Sequence, residues 1–317
     1  MIHELLPEPQ FEGTTPAIQR ITTGVLSLDI ALGDRDDLGI VLRSSYELYG
    51  GEHSGKSTLA LYLASQVRSE GKIAYLDLEY ALDKEWALRT LSYNGFTGTL
   101  HAIDDIKKGE LRYHAEMADE VVELFKSNEY NAYVLDSLGT WVPRLEAAAD
   151  VGEAIVGRRA YEAGMWSRRM QGTMRNLEQG SLLMIVNHSL PKIGGRGHYT
   201  PGGMAKGYLA NARMFMWRSN NKFDHGCFEA TINIEKLRYG GKRQDQAGYV
   251  FIVPHLGVSK GMSALNDCIR YGLVGYSTGW IKLPGDSKNI GRIGEFVEHA
   301  FNGNNEPFEP FISLIEE

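Results

Sequence analysis

The sequence predicts an α/β fold: a mainly parallel central sheet flanked by helices, followed by a small C-terminal α/β lobe. Three observations predict it. Short apolar runs alternate with helical periods from Ile21 to about Ala212, the pattern that right-handed βαβ crossovers leave in a chain. A glycine-rich turn, Gly50-Gly51-Glu52-His53-Ser54-Gly55-Lys56-Ser57, joins a strand to a helix. Several apolar runs end in polar residues, among them Asp77, Asp136 and Asn187-His188, at the carboxyl edge where open α/β sheets bind ligands.

Composition bounds the function. The chain has 317 residues, 43% hydrophobic and 23% charged, within the ordinary globular range. Lys+Arg number 33 against 40 Asp+Glu, a net charge of −7. That balance excludes a globally basic nucleic-acid packager but leaves room for a local basic surface. The apolar run Leu182–Val186 is far below the roughly 18 residues of a membrane span. Met1-Ile2-His3-Glu4 has neither the basic nor the apolar region of a secretory signal. Cys227 and Cys268 are the only cysteines, too few for a disulfide framework or a zinc knuckle. The expectation is a soluble, cytoplasmic protein with no membrane partner.

In chain order, residues 1–20 carry Pro7, Pro9 and Pro16 and predict an extended N-terminal arm. Residues 21–258 form the core. Tyr46–Tyr49 reads as a strand, Thr58–Glu70 as an amphipathic helix closed by Gly71, and Ile73–Leu78 as the next strand. Helical periods cover Lys84–Tyr93 and Leu111–Lys126, with a strand at Asn131–Leu135. A long helix over Ala160–Glu178 precedes the strand Ser181–Val186. Then the pattern turns strand-rich at Arg213–Arg218, Glu229–Lys236 and Gly248–Val253, extending the same sheet. Residues 259–317 make the lobe: a helix Ser263–Tyr271, a strand pair around Trp280, and a last helix Arg292–Phe301.

The turn at Gly50–Ser57 fits G-x-x-x-x-G-K-[ST] between a strand and a helix, the phosphate-binding P-loop. Its glycines let successive N–H groups point at phosphate oxygens, and the following helix adds its positive end. Lys56 is placed to reach the β- and γ-phosphates, and the Ser57 hydroxyl to bind Mg²⁺. Asp136, ending a buried strand, is placed to hold that ion through its water shell. Glu79 reads as a carboxylate that orients and deprotonates the attacking water; a solvated loop charge is the other reading its position allows. His188 alone reads as an ordinary hydrogen-bonding residue.

These residues resemble the RecA family of P-loop NTPases. Ile21-Thr22-Thr23-Gly24-Val25-Leu26-Ser27-Leu28-Asp29-Ile30-Ala31-Leu32-Gly33 resembles the opening of the RecA core. Leu48–Thr58 is similar to its P-loop, and Leu76-Asp77-Leu78-Glu79-Tyr80-Ala81-Leu82-Asp83 to its catalytic-glutamate segment. Val134-Leu135-Asp136-Ser137, Met174-Arg175-Asn176-Leu177, Lys192-Ile193-Gly194 and Pro201-Gly202-Gly203 follow in the family's order. Asn187-His188 and Ile234-Glu235-Lys236-Leu237-Arg238 resemble the bacteriophage UvsX-type recombinases more than bacterial RecA, which has Gln where His188 stands.

The resemblance implies a fold, a reaction and residue roles. Gly50, Gly51, Glu52, His53, Ser54, Gly55, Lys56, Ser57 and Thr58 would bind ATP, with Asp136 and Ser57 on Mg²⁺. Glu79 would be the catalytic carboxylate, and His188 the γ-phosphate sensor linked to a DNA loop. Trp86 falls where the family stacks an aromatic on the adenine; a core tryptophan opening a helix is its other reading. Lys236 and Arg238 align with a cationic pair that reaches a neighbouring subunit's ATP.

Between Arg144 and Arg218 there are 11 Lys and Arg against 5 acids, a net of +6, while the rest of the chain nets −13. This basic window contains both segments where the family places its DNA-binding loops, an asymmetry that suits backbone binding. The first segment supplies Arg158 and Arg159, followed by Arg168 and Arg169; the second supplies Lys192, Arg196, His198 and Tyr199. A solvated helix face is the alternative for the helix arginines. Phe11-Glu12-Gly13-Thr14 resembles the Phe-x-x-Ala by which some recombinases join, with Thr in place of Ala.

The resemblance thus implies a DNA-dependent ATPase that coats single-stranded DNA as a helical homo-oligomer and exchanges strands with homologous duplex. Single-strand-binding and mediator proteins would be its partners, and the cytoplasm of a bacterial host its location. An ATP-binding regulator or mediator on the same fold, without strand exchange, is the alternative.

Overall fold

The strands Ser44–Gly50 (β1), Lys72–Asp77 (β2), Thr99–Ile103 (β3), Ala132–Asp136 (β4), Leu182–His188 (β5), Ala212–Arg218 (β6), Phe228–Leu237 (β7), Ala247–Val253 (β8) and Gly257–Val258 (β9) form one nine-stranded sheet. The computed structural model describes residues 18–33, 37–103, 106–107, 110–111, 114–140, 158–175, 180–191, 198–200, 210–239 and 247–316. The order across the sheet is β9-β8-β7-β6-β1-β5-β4-β2-β3. From β6 to β3 every neighbouring pair is parallel, while β6 to β9 pair antiparallel. The strand-rich region after Ala212 therefore extends the same sheet, as its pattern predicts.

Side-chain alternation serves both faces of the sheet. Ile73 and Tyr75 of β2, Val134 of β4, and Met184 and Val186 of β5 enter one apolar cluster with helix Leu26–Leu32 (α1) and the buried Leu59–Ala64 of helix Lys56–Gln66 (α2). Helix Lys84–Tyr93 (α3) adds Ala87 and Leu91 to that cluster. Ala74, Leu76, Tyr133, Leu135, Leu183 and Ile185 point the other way. There they meet Phe125 of helix His114–Ser127 (α4) and Trp166, Met170 and Met174 of helix Arg158–Arg175 (α5). Helices cover both faces, and central strands buried on both sides are the usual condition of a parallel sheet. Asp29 of α1 ties down the segment before that helix: it accepts from the Thr22 hydroxyl and, at 2.6 Å, from the Thr23 N–H.

Several boundaries differ from expectation: α4 starts at His114, not Leu111, which lies in the short strand Glu110–Leu111, and α5 starts at Arg158, not Ala160. Helix α2 starts at Lys56, with Gly55 in the N-cap position at φ +91°, and ends at Gln66 rather than Glu70. Helix Lys260–Arg270 (α6) starts three residues before its apolar period, because the Ser259 hydroxyl caps it, accepting from Met262 N at 3.2 Å.

Beyond α6, Gly275–Ser277 (β10), Trp280–Lys282 (β11) and Gly291–Arg292 (β12) form a three-stranded sheet where a pair is predicted. Helices Ile293–Phe301 (α7) and Glu309–Glu316 (α8) follow. Their Phe296 and Phe311, with Phe308, pack on Met262, Leu265 and Cys268 of α6 and on Phe251 and Val253 of β8. Gly261 lets Phe308 approach: a Cβ there would lie 2.5 Å from its ring. A polar tie joins α6 to α1, since Asp267 Oδ2 accepts from Ser27 N at 2.9 Å. Arg270 bridges Asp267 at 2.9 Å and Glu229 at 3.0 Å, with its guanidinium 3.6 Å from the Tyr249 ring centre. Among the described residues, no helix is long and apolar enough to cross a membrane.

Burial pushes the Asp267 carboxyl up to about 6, against the opposing bonds from Ser27 and Arg270. A folded-state pKa above that of the unfolded chain means that protonation favours the fold. This contribution is complete below the unfolded carboxyl value, about 4, and is lost as pH rises through about 6. Asp267→Asn should remove it: melting temperatures of wild type and variant, compared from pH 4 to pH 7, should move in the variant's favour as pH rises. A constant difference across that range would show that Asp267 does not titrate there.

Candidate nucleotide site

The loop between β1 and α2 is shaped by its glycines. At Gly50 a Cβ would fall 1.9 Å from the Met216 carbonyl oxygen, and at Gly55 it would fall 2.4 Å from Ile252 Cδ1, at a φ that disfavours side chains. Around Gly51 nothing lies within 4 Å of the Cβ position, so the loop is open there. Ser54 Oγ donates to the Gly51 carbonyl at 2.9 Å, and Lys56 Nζ donates to the same oxygen at 2.7 Å. The Lys56 ammonium thus spans the loop. Burial lowers its pKa, while Asp136, Glu79 and Glu52 act the other way.

Parallel register brings the polar strand ends to this loop: Gly50 pairs with His188 across β1 and β5, and Asp77 with Asp136 across β2 and β4. Asp136 is buried, which raises its pKa, and Ser57 and Tyr75 hydrogen-bond to it. The Tyr75 hydroxyl donates to Asp136 Oδ2 at 2.6 Å. Asp77 is occupied with backbone: its oxygens accept from Glu79 N and Ala81 N at 3.2 Å and from Leu82 N at 2.9 Å. That cap turns the chain after β2 and sets Glu79 at the sheet edge.

Glu79 meets His188 there. Its Oε1 lies 2.7 Å from His188 Nε2 and also accepts from the Ser137 hydroxyl. The His188 and Glu79 side chains are 34% and 28% exposed, open enough to meet a ligand. Gly139 lies against the imidazole, where a Cβ would come within 2.6 Å of His188 Cδ2. Glu79, His188, Lys56, Ser57 and Asp136, singled out separately in the sequence, therefore gather at the mouth of one loop. Ser137, Tyr75 and Gly139 are additions that sequence reasoning missed. Tyr75 carried a usable signal: alternation along β2 places it on the α2 side of the sheet, beside the loop.

The donors suit a divalent cation bound with a phosphate. A hydroxyl beside one carboxylate is a small set, and Mg²⁺ usually takes one or two protein oxygens with phosphate and water. Among the described residues, no group of three or more His, Cys, Asp or Glu side chains could hold a metal by itself.

Other predicted residues lie apart. Trp86 stands in the first turn of α3, capped by Asp83, and its indole N–H donates to the Pro254 carbonyl at 3.3 Å. Lys236 pairs in register with Arg213, which pairs with Glu47, three residues before Gly50, so it lies roughly 10 Å from the loop along the strands. Its ammonium donates to the Ala210 carbonyl at 2.6 Å, and burial lowers its pKa. Arg238 is exposed. Arg168 is exposed on α5, and Arg169 pairs with Asp119 of α4. Leu190–Pro191 pairs antiparallel with His198–Tyr199, and Tyr199 is 45% exposed. Lys192, Arg196 and the arm with Phe11 lie outside the described residues, as do the side chains of Arg158, Arg159 and His198.

Residues 10–238 match the protein family described as the RecA N-terminal domain. The chain is 27% identical over 310 residues to the chromosomal RecA protein of Lactococcus lactis subsp. lactis, covering 95% of this chain and 75% of that one. It is 30% identical over 289 residues to the RecA protein of Amycolatopsis mediterranei, covering 89% and 78%. The RecA protein of Clostridium perfringens is 33% identical over 208 residues, covering 64% and 55%.

The loop geometry makes Gly55 a sharp test. Gly55→Ala combines a left-handed backbone with a contact on Ile252, and such strain costs about 1–3 kcal/mol. Affinity for a nucleoside triphosphate, measured by calorimetry, should fall by about 10-fold or more. Unchanged affinity would show that the loop reshapes freely.

Proposed function

The chain belongs to the RecA family of recombinases, and from that premise we propose that it is an ATP-dependent enzyme that coats single-stranded DNA and exchanges strands with homologous duplex. RecA-family membership supports a role in recombination and repair. The observation that carries the finer reading is the 2.7 Å pair of Glu79 and His188 beside the loop that holds Lys56. In this reading Glu79 orients and deprotonates the attacking water, and His188 senses the γ-phosphate through its bond to Glu79. Lys56 draws charge from the β- and γ-phosphates. Ser57 and Asp136 hold Mg²⁺, which neutralises developing charge on the phosphates when bound. Trp86 stacks on the base.

Arg168 and Tyr199 support the DNA reading by their exposure, within the basic window that holds Arg158, Arg159, Lys192, Arg196 and His198. Arginines with interleaved rings suit a single strand, whose bases can be stacked and whose phosphates need cations. The bond of Arg169 to Asp119 must open if Arg169 is to join them. The UvsX-type subtype rests on Asn187-His188 and Ile234–Arg238, and it carries with it a location in the cytoplasm of a phage's host. Single-strand-binding and mediator proteins are the partners such an activity uses.

Lys236 and Arg238 stand away from the loop of their own chain, which favours action on a neighbour's ATP. Hydrolysis then needs stacked subunits, and single-stranded DNA supplies them. Stimulation on the order of 10³-fold is expected if the pair acts as a full trans-acting finger.

Electron microscopy with single-stranded DNA and a slowly hydrolysed ATP analogue tests the reading: helical filaments are expected, and an absence of assembly would favour the regulator. Lys56→Ala should lose ATP-dependent DNA binding and hydrolysis, whereas Glu79→Gln should keep ATP-dependent binding and lose hydrolysis. Equal loss of nucleotide binding in both would contradict the separate roles. Mixing Lys236→Ala/Arg238→Ala protein with Glu79→Gln protein on DNA should restore hydrolysis at the interfaces that combine both intact halves. Mixed filaments without recovered activity would remove completion in trans.

A further inference from the structure

Glu47, Asn187 and Arg213 occupy adjacent central strands and have no part in the roles above. Glu47 sits in the middle of β1 and is 0% exposed. Its Oε2 accepts from Arg213 Nε of β6 at 2.7 Å, across a direct register pair. Its Oε1 accepts from Asn187 Nδ2 of β5 at 2.9 Å. A carboxylate taken wholly out of water is costly even when paired, so its retention calls for a physical reason.

Asn187 supplies one. This fully buried residue accepts the His188 backbone N–H on Oδ1 at 2.9 Å while donating to Glu47 from Nδ2. The two bonds have opposite sense and fix the carboxamide in one orientation. A flipped amide would set donor against donor at His188 and acceptor against carboxylate at Glu47. Glu47 therefore decides which way Asn187 faces. Asn187 in turn holds the backbone from which His188 reaches Glu79. On the other side, Arg213 donates from Nη2 to Thr200 Oγ1 at 3.2 Å, just beyond the His198–Tyr199 strand.

We infer that Glu47 is a positioning residue: through Asn187 it holds His188 against Glu79, and through Arg213 it ties that pair to Thr200 in the second DNA-facing segment. The nucleotide site and that segment then share one buried carboxylate. The inference rests on the recombinase reading, since Thr200 matters only if its segment meets DNA.

Glu47→Gln is the discriminating variant. It keeps the volume, but an amide has a donor at one end, so it fails either Asn187 or Arg213. The readout is the ratio of single-strand dissociation constants with ADP and with a slowly hydrolysed ATP analogue, alongside affinity for the analogue itself. In wild type the ratio should exceed about 10, within the usual range of coupling between sites. Glu47→Gln should bring the ratio toward one while affinity for the analogue stays within about threefold. His188→Ala should also bring the ratio toward one, and the double variant should lose nothing further in that ratio, because both changes break one connection. A purely structural role would instead add in the double variant. If Glu47→Gln does not fold, Asn187→Leu, which leaves the Glu47–Arg213 pair in place, enters the same cycle with the same expected outcomes. A wild-type ratio of one would overturn the recombinase reading, and this inference with it. A ratio that survives Glu47→Gln but not His188→Ala, or additive losses, would overturn this inference alone.

Discussion

Four parallel strands that end in register are the constraint on which the site depends. Because β1, β5, β4 and β2 are neighbours, residues far apart in sequence leave the sheet at the same edge. Gly50 stands opposite His188, and Asp77 opposite Asp136. A one-residue slip of β5 against β1 would turn His188 to the other face. The apolar alternation that fills both clusters guards against that slip, so core packing and site assembly are set by the same residues. The loop adds only what a sheet edge lacks: a helix N-terminus and one lysine.

Charge in the site is balanced by placement rather than by exposure. Burial disfavours the charged forms of both Lys56 and Asp136, and each is held by neighbours that oppose the shift. Lys56 bonds a carbonyl of its own loop, while Asp136 is bonded by Ser57 and Tyr75. Groups arranged in this way need little reorganisation to meet phosphate and a cation, which is the economy of a preorganised polar site. Glu79 and His188 stand at the more exposed rim, bonded to each other.

The sheet, its helices and the loop were legible because they rest on period and motif. Gly50–Ser57 has one physical use between a strand and a helix, and β2, β4 and β5 announce themselves by unbroken apolar runs. Among the elements missed, three show why. Strand β3 lies at the sheet edge with a mostly exposed sequence, Thr99-Leu100-His101-Ala102-Ile103, so it shows no buried alternation. Helix α1 has only seven residues, too short for a period to stand out. Helix α8 begins with Glu309-Pro310, and the proline reads as a break although it suits a first helical turn. Within the site, residues with motif positions were found and their supports were not. Tyr75, Ser137 and Gly139 act on neighbours from other strands, and a single sequence does not record those contacts. Glu47 carried a faint mark, an acid flanked by Tyr46 and Leu48 inside a strand, but its partners stand on β5 and β6.

The placement of Lys236 and Arg238 has a consequence for assembly. The loop occupies the end of the sheet where β1 and β6 finish, while Lys236 pairs near the start of β6. If Lys236 acts on a phosphate held by the loop, the two ends of the same strands would be joined most directly by stacking a second chain along the strand direction. In the proposed reading such a contact would be heterologous: each added chain would complete one site and leave another open at the growing end, so assembly would propagate as a helix, if the rotation does not close into a ring, instead of pairing as a two-fold dimer. Arg213 lies between these two ends, bonded to Glu47 below the loop and opposite Lys236 in register. One ion pair, its carboxylate buried and its guanidinium partly so, therefore sits midway between the loop of each chain and the surface it would offer to the next.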